Sequence, residues 1–188
     1  RTVAITGATS GLGRATALQL AQKGASVIII ARSNTKANEI IKEIEKEGGK
    51  GQSIISDLSS MKDTKEAADS ITKVVDRLDV LINNAGAHFP KYRETPEGFE
   101  STLALNYLSP FLLTHHLIEQ MKQTASDYGE ARVINITSIM HKSPINWDDL
   151  NYKNTTYHSN TAYYQSKHLL TSFTYYLSRK LKETNITV

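Results

Sequence analysis

Thr6-Gly7-Ala8-Thr9-Ser10-Gly11-Leu12-Gly13 is the stretch on which the reading of this chain turns. It joins a short apolar run, Thr2 to Thr6, to an amphipathic stretch that reaches about Lys23, where Gly24 supplies a C-cap. Glycines at this spacing permit backbone conformations and close approaches that a Cβ would block. The helix that follows opens with free N–H groups and the positive end of its dipole, a ready site for an anion such as a pyrophosphate. A Gly-rich turn can also be merely structural. Its place at the first strand–helix junction favours nucleotide binding.

Outward from this loop the chain alternates strands and helices. Ala25 to Ala31 is continuously apolar, as expected for a strand buried on both faces. Ser33 or Asn34 can cap a helix carrying Ala37, Ile40, Ile41 and Ile44 on one stripe, stopped by Gly48-Gly49. Gln52 to Ser56 reads as a third strand. Ser60 opens a helix with Ala67, Ala68, Ile71, Val74, Val75 and Leu78 at helical spacing. Val80 to Asn83 is a fourth strand. Thr95-Pro96 reads as the N-cap and first turn of a helix running to about Thr124. Arg132 to Ser138 is a fifth strand, and a polar stretch, Lys142 to Asn160, leads to a helix over about Thr161 to Lys182. Asn185 to Val188 begins a sixth strand, within which the sequence stops. The expected fold is α/β, a Rossmann-type doubly wound parallel sheet with helices on both faces, truncated within the sixth strand. One NAD(P)-binding domain over residues 1–188 is expected, incomplete at the C-terminus.

In such folds the end of the second strand faces the adenosine ribose, where an acidic residue binds the 2′-OH. Arg32 stands there instead, and a guanidinium fork suits a 2′-phosphate. Arg14, directly after the last glycine, can reach the same phosphate. The alternative is two solvated arginines. The reading favours NADP(H).

Here the sequence resembles the short-chain dehydrogenase/reductase family over nearly its whole length. Thr6 to Gly13 is similar to the family's cofactor loop, with Gly7, Thr9, Ser10, Gly11, Leu12 and Gly13 as cofactor contacts. The resemblance implies adenine contact by Asp57, followed by Leu58. It implies cofactor lining by Asn84-Ala85-Gly86, in the motif that starts at Asn83. Asn106 and Ser138 match two catalytic positions, and Tyr163-Tyr164-Gln165-Ser166-Lys167 matches Y-x-x-S-K. Thr95 to Thr114 and Ile145 to Leu150 look like the retinol-dehydrogenase-like group, which implies lipophilic aldehydes, ketones or alcohols as substrates. The family's Pro-Gly segment after the sixth strand, and the substrate lid beyond it, are missing.

The implied chemistry needs a proton delivered to a developing alkoxide. A tyrosine of pKa about 10 is a poor acid near neutrality unless a cation lies close. Lys167, four residues after Tyr163, shares its helix face. Tyr163 is then proton donor or acceptor, Lys167 tunes it and holds the ribose, and Ser138 orients the substrate oxygen. Pro110 cannot donate to the Asn106 carbonyl, which either leaves that oxygen for the water relay that the resemblance implies or makes a kink near the surface with no further role. A second pair at the same spacing, Tyr176 and Lys180, tests how far spacing alone can be used.

Composition excludes several other classes. The net charge of +3 is too balanced to argue for nucleic acid. There is no cysteine, and no carboxylate–histidine spacing suggests a metal site. No run is long enough to span a membrane, and no signal peptide is visible. An intracellular location is expected. Arg1 stands directly before a strand, so membrane association through missing ends stays open. Homo-oligomer contacts are expected through the helices at 95–124 and 161–182. The alternative function is a catalytically silent NADP(H)-binding module that senses redox state or scaffolds a partner. A P-loop hydrolase is disfavoured, because the Gly loop lacks a Gly-Lys-Ser/Thr ending.

Overall fold

Val27, Ile28, Ile29, Ile30 and Ala31 are all buried, and their side chains divide between two cores. Successive residues of a strand point to opposite faces of its sheet. Ile28 and Ile30 therefore join the larger cluster, with Leu113, Leu117, Met121 and Leu170, while Val27, Ile29 and Ala31 join the smaller one, with Ala17, Ala21, Ile40 and Ile44. A run with no polar alternation is what a strand covered on both faces requires.

A computed structural model describes residues 1–188. The strands are β1 Thr2–Thr6, β2 Ser26–Ala31, β3 Lys50–Ile55, β4 Val80–Asn83, β5 Ala131–Asn135 and β6 Ile186–Thr187. They form one parallel sheet in the order β3-β2-β1-β4-β5-β6. The helices are α1 Gly11–Gln22, α2 Asn34–Lys46, α3 Met61–Val74, α4 Ser101–Leu103, α5 Ser109–Tyr128 and α6 Ser159–Lys180. Ser33 caps α2 by accepting from the Lys36 N–H, and Ser60 caps α3 by accepting from Asp63. The chain winds from β1 outward to β3, then returns to place β4 on the other side of β1. That reversal opens a crevice beyond the carboxyl ends of β1 and β4. No helix is long and apolar enough to cross a membrane.

The structure corrects the helix expected from Thr95. Thr95 to Gly98 is a turn, closed by the Gly98 N–H donating to the Thr95 carbonyl at 2.9 Å, with Gly98 at φ +85°. The helix starts at Ser101, and its cap is Glu100, whose buried carboxylate accepts from the N–H groups of Thr102 at 2.7 Å and Leu103 at 2.8 Å. A positive φ at Gly98 is incompatible with a helix running through it.

Between α4 and α5 the backbone widens into a π turn, Ala104–Leu108, where the Ser109 N–H donates to the Ala104 carbonyl five residues back. Pro110, which has no N–H for the Asn106 carbonyl, follows directly. Single π turns inside helices recur at functional sites, and this one carries Asn106. β5 also stops short of the expected Ser138. One more ladder bond, from the Ile136 N–H to the Asn83 carbonyl at 3.0 Å, precedes a turn in which the Ser138 carbonyl accepts from His141.

Candidate active site

The glycine loop is built around Thr6 and Asn84. The Thr6 hydroxyl accepts from the N–H groups of Asn84 at 3.0 Å and Ala85 at 2.8 Å, which locks β1 to the turn after β4. The Asn84 amide donates back to the carbonyls of Thr6 at 2.9 Å and Gly7 at 3.3 Å. Packing is close enough that a Cβ on Gly13 would lie 2.4 Å from both the Gly7 carbonyl oxygen and Asn84 Nδ2. Gly7 has φ +68°, and a Cβ there would meet the Ala85 Cα at 2.9 Å. Gly11, at φ +54°, faces open space, so it serves the turn and not the packing. Ser10 precedes α1 in extended conformation and makes no side-chain cap, which leaves the first N–H groups of the helix without a side-chain acceptor.

A cavity of about 400 Å³ opens over this loop at the carboxyl edge of the sheet. Gly7, Thr9, Ser10, Leu12 and Gly13 line it from the first strand's side. Asn84, Ala85 and Gly86 line it from β4, and Arg32, Asp57 and Leu58 from the ends of β2 and β3. Asp57 is held by its own turn: Oδ1 accepts from the Ser59 N–H at 3.0 Å and hydroxyl at 2.8 Å. Gly11, Arg14, Tyr163 and Lys167 are not among the lining residues. Arg14 lies against α2, where its guanidinium pairs with Glu43. The volume and donor set fit an elongated anionic ligand such as a dinucleotide, since small-molecule sites run from about 300 to 1,000 Å³.

Beside the cavity, three elements meet. Asn106 is fully buried in the π turn, and its side chain joins two of its neighbours. Oδ1 accepts from the Ala87 N–H at 2.9 Å, while Nδ2 donates to the Ala87 carbonyl and to Ser166 Oγ, both at 3.0 Å. The Ser166 hydroxyl in turn donates to the Tyr163 carbonyl at 2.7 Å. Gly86 lets this cluster close, because a Cβ there would sit 3.3 Å from both Asn106 Oδ1 and Lys167 Nζ. Lys167 is 4% exposed. Its ammonium donates to the Ile136 carbonyl at 2.8 Å and stands 5.8 Å from the Tyr163 ring centroid. Ile136 lies two residues before Ser138, so the same bond ties α6 to the segment bearing Ser138. Lys167 is thus brought beside Tyr163, Asn106 reaches Tyr163 through Ser166, and Ser138 hydrogen-bonds within its own turn, to Met140 and His141.

Burial pushes the Lys167 ammonium down to about 8 from its usual 10.5, because desolvation disfavours the charged form. Between about pH 8 and 10.5 the unfolded chain holds a proton that the folded chain has released, so stability rises with pH through that window. Below it, the folded state carries the buried cation at a cost of up to about 3 kcal/mol. Urea unfolding of the cofactor-free protein at about pH 7 and about pH 10 should show wild type gaining stability relative to Lys167→Met. Parallel pH dependence of the two would contradict a desolvated lysine.

Several contributors were not assigned a role from sequence. Thr6 works through its hydroxyl, and a threonine ending an apolar strand gives no sign of that. Ser166 bridges Asn106 and Tyr163, and its only signal was its place in the Y-x-x-S-K motif. Gln165, buried on α6, accepts from the Asn146 N–H at 2.8 Å and reaches the Leu150 carbonyl at 3.4 Å, so it holds the loop ahead of its own helix. His88 lies edge-on to Tyr163, with ring centroids 5.8 Å apart.

A family model described as short chain dehydrogenase matches residues 1–188. Human Retinol dehydrogenase 13 is 37% identical over 196 residues, covering 100% of this chain and 56% of the relative. Human Polyprenol dehydrogenase is 38% identical over 184 residues, covering 96% and 56%. The chain therefore spans little more than half the length of these relatives. Among solved structures, an uncharacterized protein from Mycobacterium Paratuberculosis superposes with a TM-score of 0.86 at 35% identity, over 99% of this chain and 65% of the other. A metagenomic short-chain oxidoreductase solved in complex with NADP gives a TM-score of 0.81 at 26% identity, over 99% and 77%. The motifs quoted from the sequence, the strand order and these matches agree: the chain belongs to the short-chain dehydrogenase family, in its retinol-dehydrogenase-like group.

Proposed function

We propose that residues 1–188 form one NAD(P)-binding domain of an NADP(H)-dependent oxidoreductase that interconverts a lipophilic alcohol with its aldehyde or ketone. The observation that carries the reading is the cluster of Tyr163, Lys167 and Asn106 packed against Gly86, at the edge of the cavity over the glycine loop. Bound NADP(H) supplies or accepts the hydride. In this reading the loop from Gly7 to Gly13, with the first turn of α1, holds its pyrophosphate. Asp57 and Leu58 meet the adenine, and Asn84, Ala85 and Gly86 the nicotinamide end.

Tyr163 gives its proton to the alkoxide oxygen in reduction and takes it back in oxidation. Lys167 hydrogen-bonds the ribose, Ser138 donates to the substrate oxygen, and Asn106 holds the wall of the site. Two observations support a lipophilic substrate. Ile139 and Trp147, in the segment after Ser138, are 88% and 69% exposed, so the stretch that carries Ser138 also offers apolar surface. The relatives' names also specify retinol and polyprenol. The proposal extends to self-association through α5 and α6, where Phe111, Tyr175 and Tyr176 are exposed.

Preference for the phosphorylated cofactor rests on Arg32, which lines the cavity at the end of β2. Arg14, held by Glu43 in an exposed ion pair of small energy, is available to the same phosphate after a side-chain rotation. Arg32→Asp should weaken NADPH binding by about 1.5–3 kcal/mol, roughly 10- to 150-fold, and strengthen NADH binding. Calorimetric titration of both cofactors into wild type and variant checks this. Equal wild-type affinities for the two would overturn the assignment.

A further inference from the structure

Tyr163 has two aromatic neighbours. Tyr164 is adjacent on its own helix, with centroids 6.2 Å apart, and His88 approaches from the loop after β4 at 5.8 Å, with ring planes at 82°. The loop bearing His88 is fixed on both sides. Ala87 is held by both polar atoms of the Asn106 amide. The Phe89 carbonyl accepts from the Tyr157 hydroxyl at 2.8 Å, and that hydroxyl lies 3.3 Å from Thr102 Oγ1. Asn106 and Thr102 are both fully buried, so both anchors end on side chains packed in the interior. Pro90 follows and restricts the backbone of Phe89. The exposed imidazole is therefore presented to the tyrosine ring from a three-residue segment anchored at both ends.

We propose that His88 is a positioning residue: its edge-to-face contact fixes the Tyr163 ring, and so the place from which the phenol hydroxyl exchanges its proton. Helix α6 sets the Cα of Tyr163 but leaves the ring free to turn about its side-chain torsions. Lys167 approaches from within the same helix and cannot by itself hold the ring against motion toward the β4 loop. An edge-to-face pair prefers one relative orientation, and proton transfer needs the hydroxyl within hydrogen-bond reach of the reacting oxygen. Small misplacements of a reacting group carry large rate penalties.

The inference rests on the reading of Tyr163 as proton donor, and its test separates the two. In the full-length protein, with retinal as probe and NADPH as cofactor, His88→Ala should lower kcat about three- to tenfold. KM and NADPH affinity should stay within about twofold, since His88 acts through the ring and not on the ligands. His88→Phe, which keeps the aromatic contact and removes the nitrogens, should return kcat to within about twofold of wild type. An unchanged kcat in His88→Ala, a loss confined to KM, or a His88→Phe as slow as His88→Ala would each overturn the positioning role. Tyr163→Phe is run alongside. If it still turns over, the assignment of Tyr163 itself falls. If it is inactive while His88→Ala matches wild type, only the role of His88 falls.

Discussion

Tyr163→Phe in the full-length protein is expected to lower turnover by about 10²- to 10⁴-fold, the span typical of removing a general acid–base group. NADPH affinity should be almost unaltered. The substitution deletes one oxygen and leaves the ring with its neighbours His88 and Lys167 in place, so folding and cofactor binding are not at stake. Tyr176→Phe is the matched control. Locally the two pairs are alike: Lys180 Nζ is 5.6 Å from the Tyr176 ring centroid, against 5.8 Å for Lys167 and Tyr163. Their surroundings differ. Lys180 and Tyr176 are exposed, whereas Lys167 is buried and meets the ends of β4 and β5 through Gly86 and Ile136. Thirteen helical residues also carry Tyr176 about 20 Å along the axis from Tyr163. Its replacement should leave the rate within a few-fold. Steady-state kinetics with saturating NADPH distinguish the two, and comparable rates for Tyr163→Phe and wild type would remove the central residue of the mechanism.

Gly13→Ala should be nearly as damaging, by a different route. Its methyl would arrive 2.4 Å from the Gly7 carbonyl oxygen and from Asn84 Nδ2. The first of these is backbone and cannot swing aside. The loop must deform at the point where Asn84 clamps it to β4, and overpacking of this kind costs about 1–3 kcal/mol of stability. The deformation also spreads Gly7 from Gly13, the two glycines proposed to set the approach of a pyrophosphate, so NADPH affinity should fall about a hundredfold or more. Gly11→Ala offers the contrast. Nothing lies within 4 Å of its Cβ position, and the substitution carries mainly the cost of a left-handed conformation, about 1–2 kcal/mol. Urea unfolding with NADPH titration of both variants checks the pair. NADPH binding by Gly13→Ala within threefold of wild type would contradict the role given to the Gly7–Asn84 clamp.

Much of this architecture could be read from the sequence, because its determinants are local. The unbroken apolar run Val27 to Ala31 announces a strand buried on both faces. Ser33 and Ser60 stand before helices and cap them. The glycine loop, Asn83 to Gly86 and Tyr163 to Lys167 are each short motifs whose spacing survives in one stretch of chain. What escaped the sequence reading depends on partners that are distant in sequence, or on a residue type doing another's work. Glu100 caps α4 with a buried carboxylate, a role ordinarily taken by Ser, Thr, Asp or Asn, so Thr95 with its following proline drew the helix start five residues too early. Arg14 meets Glu43 only because α1 and α2 lie side by side on the same face of the sheet. Two residues 75 positions apart bring His88 to Tyr163, and no periodicity connects them. The end of β5 fell short for a related reason: Ile136 continues the ladder by one bond, after which the chain turns on the Ser138 carbonyl.

As proposed, this fold moves a hydride between NADP(H) and a lipophilic carbonyl. The decisive experiment incubates the full-length protein with retinal and NADPH carrying deuterium at both C4 positions, then weighs the alcohol formed by mass spectrometry. The alcohol should carry one deuterium, at the former carbonyl carbon, and Tyr163→Phe should form almost none. Saturable NADPH binding with no deuterium delivered to retinal or to any of a panel of aliphatic and aromatic aldehydes and ketones would contradict it, and would identify the protein as a binder of the cofactor and not a catalyst.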